Sequence, residues 1–323
     1  TNESNFNKDW DGLWQSAVSH DAQGWTAEIL VPWYTAPMRR ADHGQRVVGL
    51  YLDRVVAASG ERDAWPVASY QQARFLSDFR RVAIPAYRPS LLAVTPYVSG
   101  LYDNVRGRSH FAEGADIFWK PSSQFQLTAT LNPDFGQVES DDLVVNFGAT
   151  ETYVSDKRPF FTENQGIFDF SLLDDNSQLV YTRRVGGPSD DGHGAADINA
   201  AVKLNGSFGS TSYGVLAADE DGEAGRFFGA ARVTHDFGDQ SLGMLLTRVD
   251  RPWLDREATV LGVDHHWRPT PQLTIATNVV GSDILQSGTH TRDTGGTVIA
   301  DLEMGDSWRQ QWLGMHFGDQ LQV

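Results

Sequence analysis

The densest chemistry in the sequence lies between Asn132 and Phe168. Asp134, Glu139, Asp141, Asp142, Glu151, Asp156 and Glu163 fall there beside Lys157 and Arg158. Carboxylates enclosed by protein must be paired, hydrated or metal-bound, because an unpaired buried charge is costly. Two readings follow. Asp134, Glu139, Asp141, Lys157, Arg158 and Glu163 form a binding site for a sugar, a cation or a peptide. Alternatively, they form an ionic network that fastens an inward-folded segment and orders strand pairing, the reading that such mixed-charge clusters favour. Pro133 and Pro159 suit strand ends or turns, not mid-strand positions.

Other residues offer less. Trp33 and Trp65 are candidates for stacking on a saccharide ring, whereas Trp25 alternates with Ala27 and Ile29 and reads as core. His265 and His266 are adjacent, so on a strand they point to opposite faces and do not share a metal. The acidic run Asp219-Glu220-Asp221-Gly222-Glu223 lacks the ligand spacing of a helix-loop-helix calcium site and reads as a solvated loop. Pairs of carboxylates suitable for glycoside hydrolysis are numerous, but their separation decides the chemistry and sequence does not supply it. No nucleophile elbow, phosphate loop or zinc-protease motif is present. No catalytic residue, cofactor or metal is therefore predicted.

Of 323 residues, 42 are Asp or Glu and 26 are Lys or Arg, a formal net charge of −16, which argues against a nucleic-acid partner. Cysteine is absent, which excludes disulfides, thiolate metal sites and cysteine nucleophiles. No run approaches the roughly 18 consecutive apolar residues of a transmembrane helix. Both ends read as truncations. Thr1 to Asn5 lacks the regions of a signal peptide, and Leu321 to Val323 stops within an alternating pattern.

Two regions must position these residues. Residues 1–88 carry paired tryptophans, several prolines and strands expected over 24–32 and 47–56, and 74–79 reads as a short helix or a strand lead-in. Pro85 and Pro89 then mark a boundary. Beyond Leu91 about a dozen segments of eight to twelve residues alternate apolar and polar side chains, separated by turn residues. In the clearest, Phe125, Leu127, Ala129 and Leu131 share one face, and Gln126, Thr128 and Thr130 the other. One hairpin recurs: Trp119-Lys120-Pro121-Ser122-Ser123-Gln124-Phe125 matches Trp267-Arg268-Pro269-Thr270-Pro271-Gln272-Leu273. A second turn, His235-Asp236-Phe237-Gly238-Asp239-Gln240, matches His316-Phe317-Gly318-Asp319-Gln320.

A soluble β-sandwich or propeller also alternates. Three features favour a membrane barrel instead. The segments are long enough to cross a tilted span, while soluble strands average about five or six residues. The polar faces are rich in Gln, Thr, Asn and charge. Tyr97, Tyr102, Trp119, Tyr181, Trp253, Trp267 and Trp308 fall at segment ends, where interfacial aromatics belong. Connections also alternate between short turns and longer acidic stretches at 186–197 and 218–225.

The run Asn132-Pro133-Asp134-Phe135-Gly136-Gln137-Val138-Glu139-Ser140-Asp141, with Asn146 and then Asp156-Lys157-Arg158-Pro159-Phe160-Phe161-Thr162-Glu163, resembles a family of uncharacterised outer-membrane proteins. In that family a domain similar to the family-9 carbohydrate-binding module precedes a β-barrel of unknown function. The chain departs from the pattern at Tyr153 to Asp156, where a more aromatic, proline-containing stretch is usual. Trp10 to Trp14, the 24–32 strand, Arg54 and 74–85 look like the later part of the carbohydrate-binding-like domain.

The expectation is therefore an all-β chain. Residues 1–88 form the C-terminal part of a carbohydrate-binding-like β-sandwich, and 89–323 form an antiparallel, incomplete outer-membrane β-barrel with its central motif at 132–168. It is expected in the outer membrane, with lipid and a carbohydrate as partners and its N-terminal domain periplasmic or lumen-associated. Binding or passage of a saccharide or envelope polymer is the leading function. The alternatives are a hydrolase-associated envelope protein and a structural anchor or assembly platform.

Overall fold

A computed structural model describes residues 14–22, 24–32, 44–68, 75–85, 91–104, 107–122, 124–133, 156–170, 172, 178–305 and 308–323. Among these residues the chain is mostly antiparallel β-structure. The N-terminal part holds three two-stranded ladders: β1 (Gln15–Asp21) with β2 (Gly24–Leu30), β3 (Gln45–Leu50) with β6 (Arg80–Pro85), and β4 (Leu52–Val55) with β5 (Arg62–Trp65). The strand expected over 47–56 is broken at Tyr51, whose ring stacks on Phe79 and meets Phe75 edge-on. A 3-10 turn, Leu76–Asp78, occupies the ambiguous stretch that follows. Trp25 is 55% exposed and not core, since among the described residues β2 pairs only with β1.

The rest builds one sheet from β7 (Leu91–Asp103), β8 (Arg108–Ser122), β9 (Phe125–Leu131), β10 (Ile198–Phe208), β11 (Thr211–Glu220), β12 (Phe227–Asp236), β13 (Gln240–Arg251), β14 (Arg256–Thr270), β15 (Leu273–Gln286), β16 (Thr289–Met304) and β17 (Trp308–Phe317). Each strand pairs with the next in sequence, with no crossover. Strands β10 to β17 run from 10 to 16 residues, beyond the soluble average of about five or six. The sheet does not close among the described residues: β7 and β17 remain its two edges.

The sheet does wrap. Gln126 on β9 bonds Glu163, and Thr297 on β16 bonds the carbonyl of Leu172. The same short segment also meets Gly214 on β11 and Gly262 on β14, so strands up to seven places apart turn one face toward it.

Curvature sorts the side chains in an unusual sense. Facing outward and exposed are Leu92, Val94, Trp119, Leu131, Val202, Val215, Val233, Met244, Leu246, Leu261, Val263, Val279 and Val298. Facing inward and buried are Gln126, Thr128, Thr130, Lys203, Asn205, Arg232, Thr247, Asp264, Asn278 and Thr297. A water-soluble sandwich buries the first set and wets the second. Here the outward parity is apolar, while the inward one mixes these polar side chains with Ala201, Leu216, Leu245, Val260 and Val280.

The connections also divide by end. Turns after β8, β10, β12, β14 and β16 lie at one end and are short. The acidic connections expected at 186–197 and 218–225 are both at the other end, although 252–255 and 287–288 are short there too. The recurrent Trp119 and Trp267 hairpins share one irregularity: pairing shifts between Trp119 and Ser122, and again between Trp267 and Thr270. The second recurrence does not hold. His235 leads into a hairpin turn, while 317–320 ends β17 and folds back, with Gly318 donating to the Thr294 carbonyl. Exposed aromatics mark both ends, with Phe208, Phe237, Trp267 and Trp308 at the short-turn end and Tyr102, Phe227 and Trp253 at the other. Tyr97 and Tyr181 do not belong to these bands. Tyr97 lies mid-strand and donates to the Asn132 carbonyl, and Tyr181 lies in the segment described next.

Candidate functional site

The described part of the connection between β9 and β10, residues 156–170, 172 and 178–197, packs against the concave face. It contains α1 (Pro159–Thr162), the 165–168 turn and a further 3-10 turn, Thr182–Arg184. Pro159 starts α1, where its missing N–H costs nothing. Phe160, Phe161, Phe168, Phe170, Leu172 and Val185 are buried against Ala201, Leu216, Leu245, Val260 and Val280 from the inner wall. Each large apolar side chain so buried contributes about 1.5–3 kcal/mol.

The wall is cut to fit. A Cβ on Gly214 would lie 2.8 Å from Ile167, and one on Gly262 would lie 2.7 Å from the Phe170 ring. Gly262→Val is therefore expected to displace Phe170 and destabilise the fold by about 1–3 kcal/mol. A lower denaturant midpoint, together with new protease cleavage within 156–185, would register it.

Polar clasps complete the attachment. Asp156 and Arg158 are both buried; Arg158 Nε and Nη2 donate to the carboxylate at 2.8 and 2.6 Å. The same guanidinium donates to the carbonyls of Val185 at 2.7 Å and Thr182 at 2.8 Å, and it lies over the Phe161 ring. The Thr182 hydroxyl returns a hydrogen bond to Asp156. The Lys203 ammonium, 1% exposed, donates to the carbonyls of Phe160 and Glu163. Gln126 Nε2 donates to the Glu163 carboxylate at 2.9 Å. At the long-connection end, Glu220 accepts from Arg226 at 2.6 and 2.9 Å and from the backbone of Gly186 at 2.7 Å. Asp190 accepts from Arg251 at 2.6 and 3.0 Å.

Asp190 lies outside the strands. The Arg251 hydrogen bonds hold its carboxyl below the ordinary value of 3.8, against a smaller upward push from burial. A carboxyl depressed on folding contributes stability that is fully present above its unfolded value and is lost as pH falls through the folded one. The Asp190 clasp should therefore survive neutral and mildly acidic buffer and release only below pH 3.8. Protease sensitivity of 186–197 across a pH series would report it, and Asp190→Asn should remove the transition.

Of the residues singled out by sequence, Arg158 is buried in a clasp, and Glu163 and Lys157 lie half-buried in the inserted segment. Trp65 is 51% exposed at the end of β5 and lies outside this site. Trp33, Asp134, Glu139 and Asp141 lie outside the described residues. The acidic run 219–223 is only partly a solvated loop, since Glu220 is buried against Arg226. His265 and His266 do separate: the first meets Gln240 at 3.0 Å and the second lies 3.8 Å from Asp264. Among the described residues no three His, Asp or Glu side chains converge as a metal site would need, and no helix is long and apolar enough to cross a membrane.

Sequence reasoning missed Gln126, Asp190, Lys203, Arg226 and Arg251. A signal for Lys203 exists: a lysine between Val202 and Leu204, on the parity opposite to theirs, must face inward and find acceptors there.

A family described as a domain of unknown function (DUF5916) matches residues 88–206, which span β7 to β10 and the inserted segment. No curated protein is similar to the chain. Among solved structures, a loop L8 deletion mutant of OmpT, an outer membrane protein of Vibrio cholerae, is similar at 11% identity and a TM-score of 0.30, covering 69% of this chain and 95% of that one.

Proposed function

We propose that the chain is an outer-membrane β-barrel protein that binds or passes a saccharide or related envelope polymer. The observation that supports this reading is the inverted polarity of the sheet. Exposed Leu, Val, Met and Trp cover the outside while Gln, Asn, Lys, Arg and Asp are buried within. Lipid is the solvent in which that arrangement is favourable. Strand length and the two aromatic bands agree with a hydrocarbon core crossed by tilted strands. On this reading the strands beyond Leu91 span the membrane as a barrel. The short-turn end, where β7 begins, is periplasmic, and residues 1–88 belong to the carbohydrate-binding-like domain on that side. Trp65, exposed at the end of β5, is the described candidate for stacking on a sugar.

Flotation of the full chain with liposomes, followed by protease digestion, tests the membrane reading. Strands 91–317 should float and stay protected, and a chain that remains in the dense fraction refutes it. Pull-down on immobilised bacterial and plant glycans tests the second part. Retention should fall in Trp65→Ala, and silence of the wild type across all glycans removes the sugar claim.

The aromatic filling of the interior favours a second reading, a membrane anchor or assembly platform. In that case liposome-swelling assays would show no solute flux, while deletion of the gene would still perturb the envelope.

A further inference from the structure

The outward face of β15 and β16 changes character toward the long-connection end. Val280 and Ile284 point inward and are buried. On the opposite parity Val279 and Val298 are exposed and apolar, whereas Asp283, His290 and Arg292 carry acid and base. Strand register sets Asp283 beside Arg292, and Gly281 beside Thr294 one step nearer the short turns.

The three polar side chains form one unit. Asp283 Oδ2 accepts from Arg292 Nε at 2.8 Å, and Oδ1 lies 2.7 Å from His290 Nδ1. Both carboxylate oxygens are thus engaged, and one acid aims two bases. Arg292 is held by Nε alone. Its terminal nitrogens make no hydrogen bond among the described residues, and the side chain is 68% exposed. The neighbouring outward arginine differs: Arg248 donates through one terminal nitrogen to Thr259 and through the other to Glu257. A guanidinium fixed at Nε and open at both ends of its fork presents the paired donors that phosphate oxygens accept. Stability does not account for the unit, because exposed ion pairs contribute little in water.

An apolar notch adjoins it. Gly281 carries no side chain between Leu261 on β14 and Thr294 on β16. A Cβ there would meet nothing nearer than the Thr294 methyl, at 3.6 Å. Leu261, Val279 and Val298 stand exposed around it. Open cationic donors above an unfilled apolar notch complement an anionic head joined to a hydrocarbon tail.

We propose that the outward face of β15 and β16 binds a phosphate-bearing lipid, with its headgroup on Arg292 and a chain in the notch at Gly281. This rests on the barrel reading above, which puts that face in the bilayer. Asp283 is the positioning residue, since it fixes the guanidinium from behind. Charge alone would admit a soluble phosphate equally well; the notch is what selects a lipid.

The full chain is reconstituted in phosphatidylcholine vesicles and checked by flotation. It is then exposed to a photoactivatable phosphatidic acid, or to the diacylglycerol with the same chains, and adducts are mapped by mass spectrometry. Phosphatidic acid should label β15 and β16 of the wild type at least about threefold more than diacylglycerol, as one partly screened charged contact allows. Arg292→Gln should abolish that preference. Gly281→Leu should lower labelling of these strands by both lipids and leave other strands unchanged. Equal labelling of the wild type by the two lipids, or a preference that survives Arg292→Gln, overturns the headgroup site. Unaltered labelling in Gly281→Leu overturns the notch, and displacement of phosphatidic acid by excess inorganic phosphate overturns a lipid as the occupant. Each of these results leaves the barrel standing, whereas wild-type protein that does not float overturns both. If Arg292→Gln alone fails to float, Asp283→Asn decides: it releases the guanidinium, and an unchanged preference overturns the site.

Discussion

On the proposed barrel reading, Leu246→Arg should destabilise the protein by about 2–4 kcal/mol, the depth-dependent penalty for arginine at the middle of a lipid-facing strand. In water the same change would be nearly neutral. Leu246 is 43% exposed, it lies outward near the middle of β13, and its cross-strand partners are Ala231 and Leu261. A surface substitution of that kind in a soluble protein usually stays within about 0.5 kcal/mol. The two solvents thus predict effects differing severalfold for one residue. Reversible urea unfolding in lipid vesicles, followed by tryptophan fluorescence, measures the difference. Glu223→Ala, on the exposed connection between β11 and β12, is the matched control and should leave the midpoint unchanged.

Asp156→Ala should cost more still, about 3–5 kcal/mol, because it strands a buried guanidinium without its counter-ion. Arg158 would keep its bonds to the carbonyls of Val185 and Thr182 but lose both contacts to the carboxylate. Thr182 would lose its acceptor as well. The expected result is a lower unfolding midpoint together with protease cleavage within 156–185. The double change Asp156→Ala/Arg158→Met should recover part of the loss, since it removes the stranded charge as well as its partner. A single variant as stable as the wild type would show that the clasp contributes nothing.

Much of the sheet is legible in the sequence because a strand has period two. Phe125, Leu127, Ala129 and Leu131 take one parity, Gln126, Thr128 and Thr130 the other, and the structure keeps that division. The same rule parts His265 from His266. It is less informative on β13, where Leu245 faces inward yet is apolar. Its neighbour there is the inserted segment, whose position no local pattern encodes. The clasps escape for a related reason. Glu220 sits in an acidic run that composition alone assigns to solvent, and Arg226 lies across a turn from it. Asp190 and Arg251 are brought together only by the path of the chain. Trp25 shows the converse error: alternation makes it look buried, but burial needs a second layer, and β2 has only β1 beside it among the described residues.

Strands β9 and β10 are neighbours in space, yet the whole stretch from Leu131 to Ile198 separates them in the chain, whereas β10 and β11 are joined at Gly209 and Ser210. Closing the longer loop costs roughly 3 kcal/mol more in chain entropy, at about 0.6 kcal/mol for each doubling of length. The hairpins from β10 onward therefore zip first from local contacts, and the β9–β10 junction assembles late. The inserted segment, contacting walls on both sides of that junction, then acts as an internal template around which the last pairing forms.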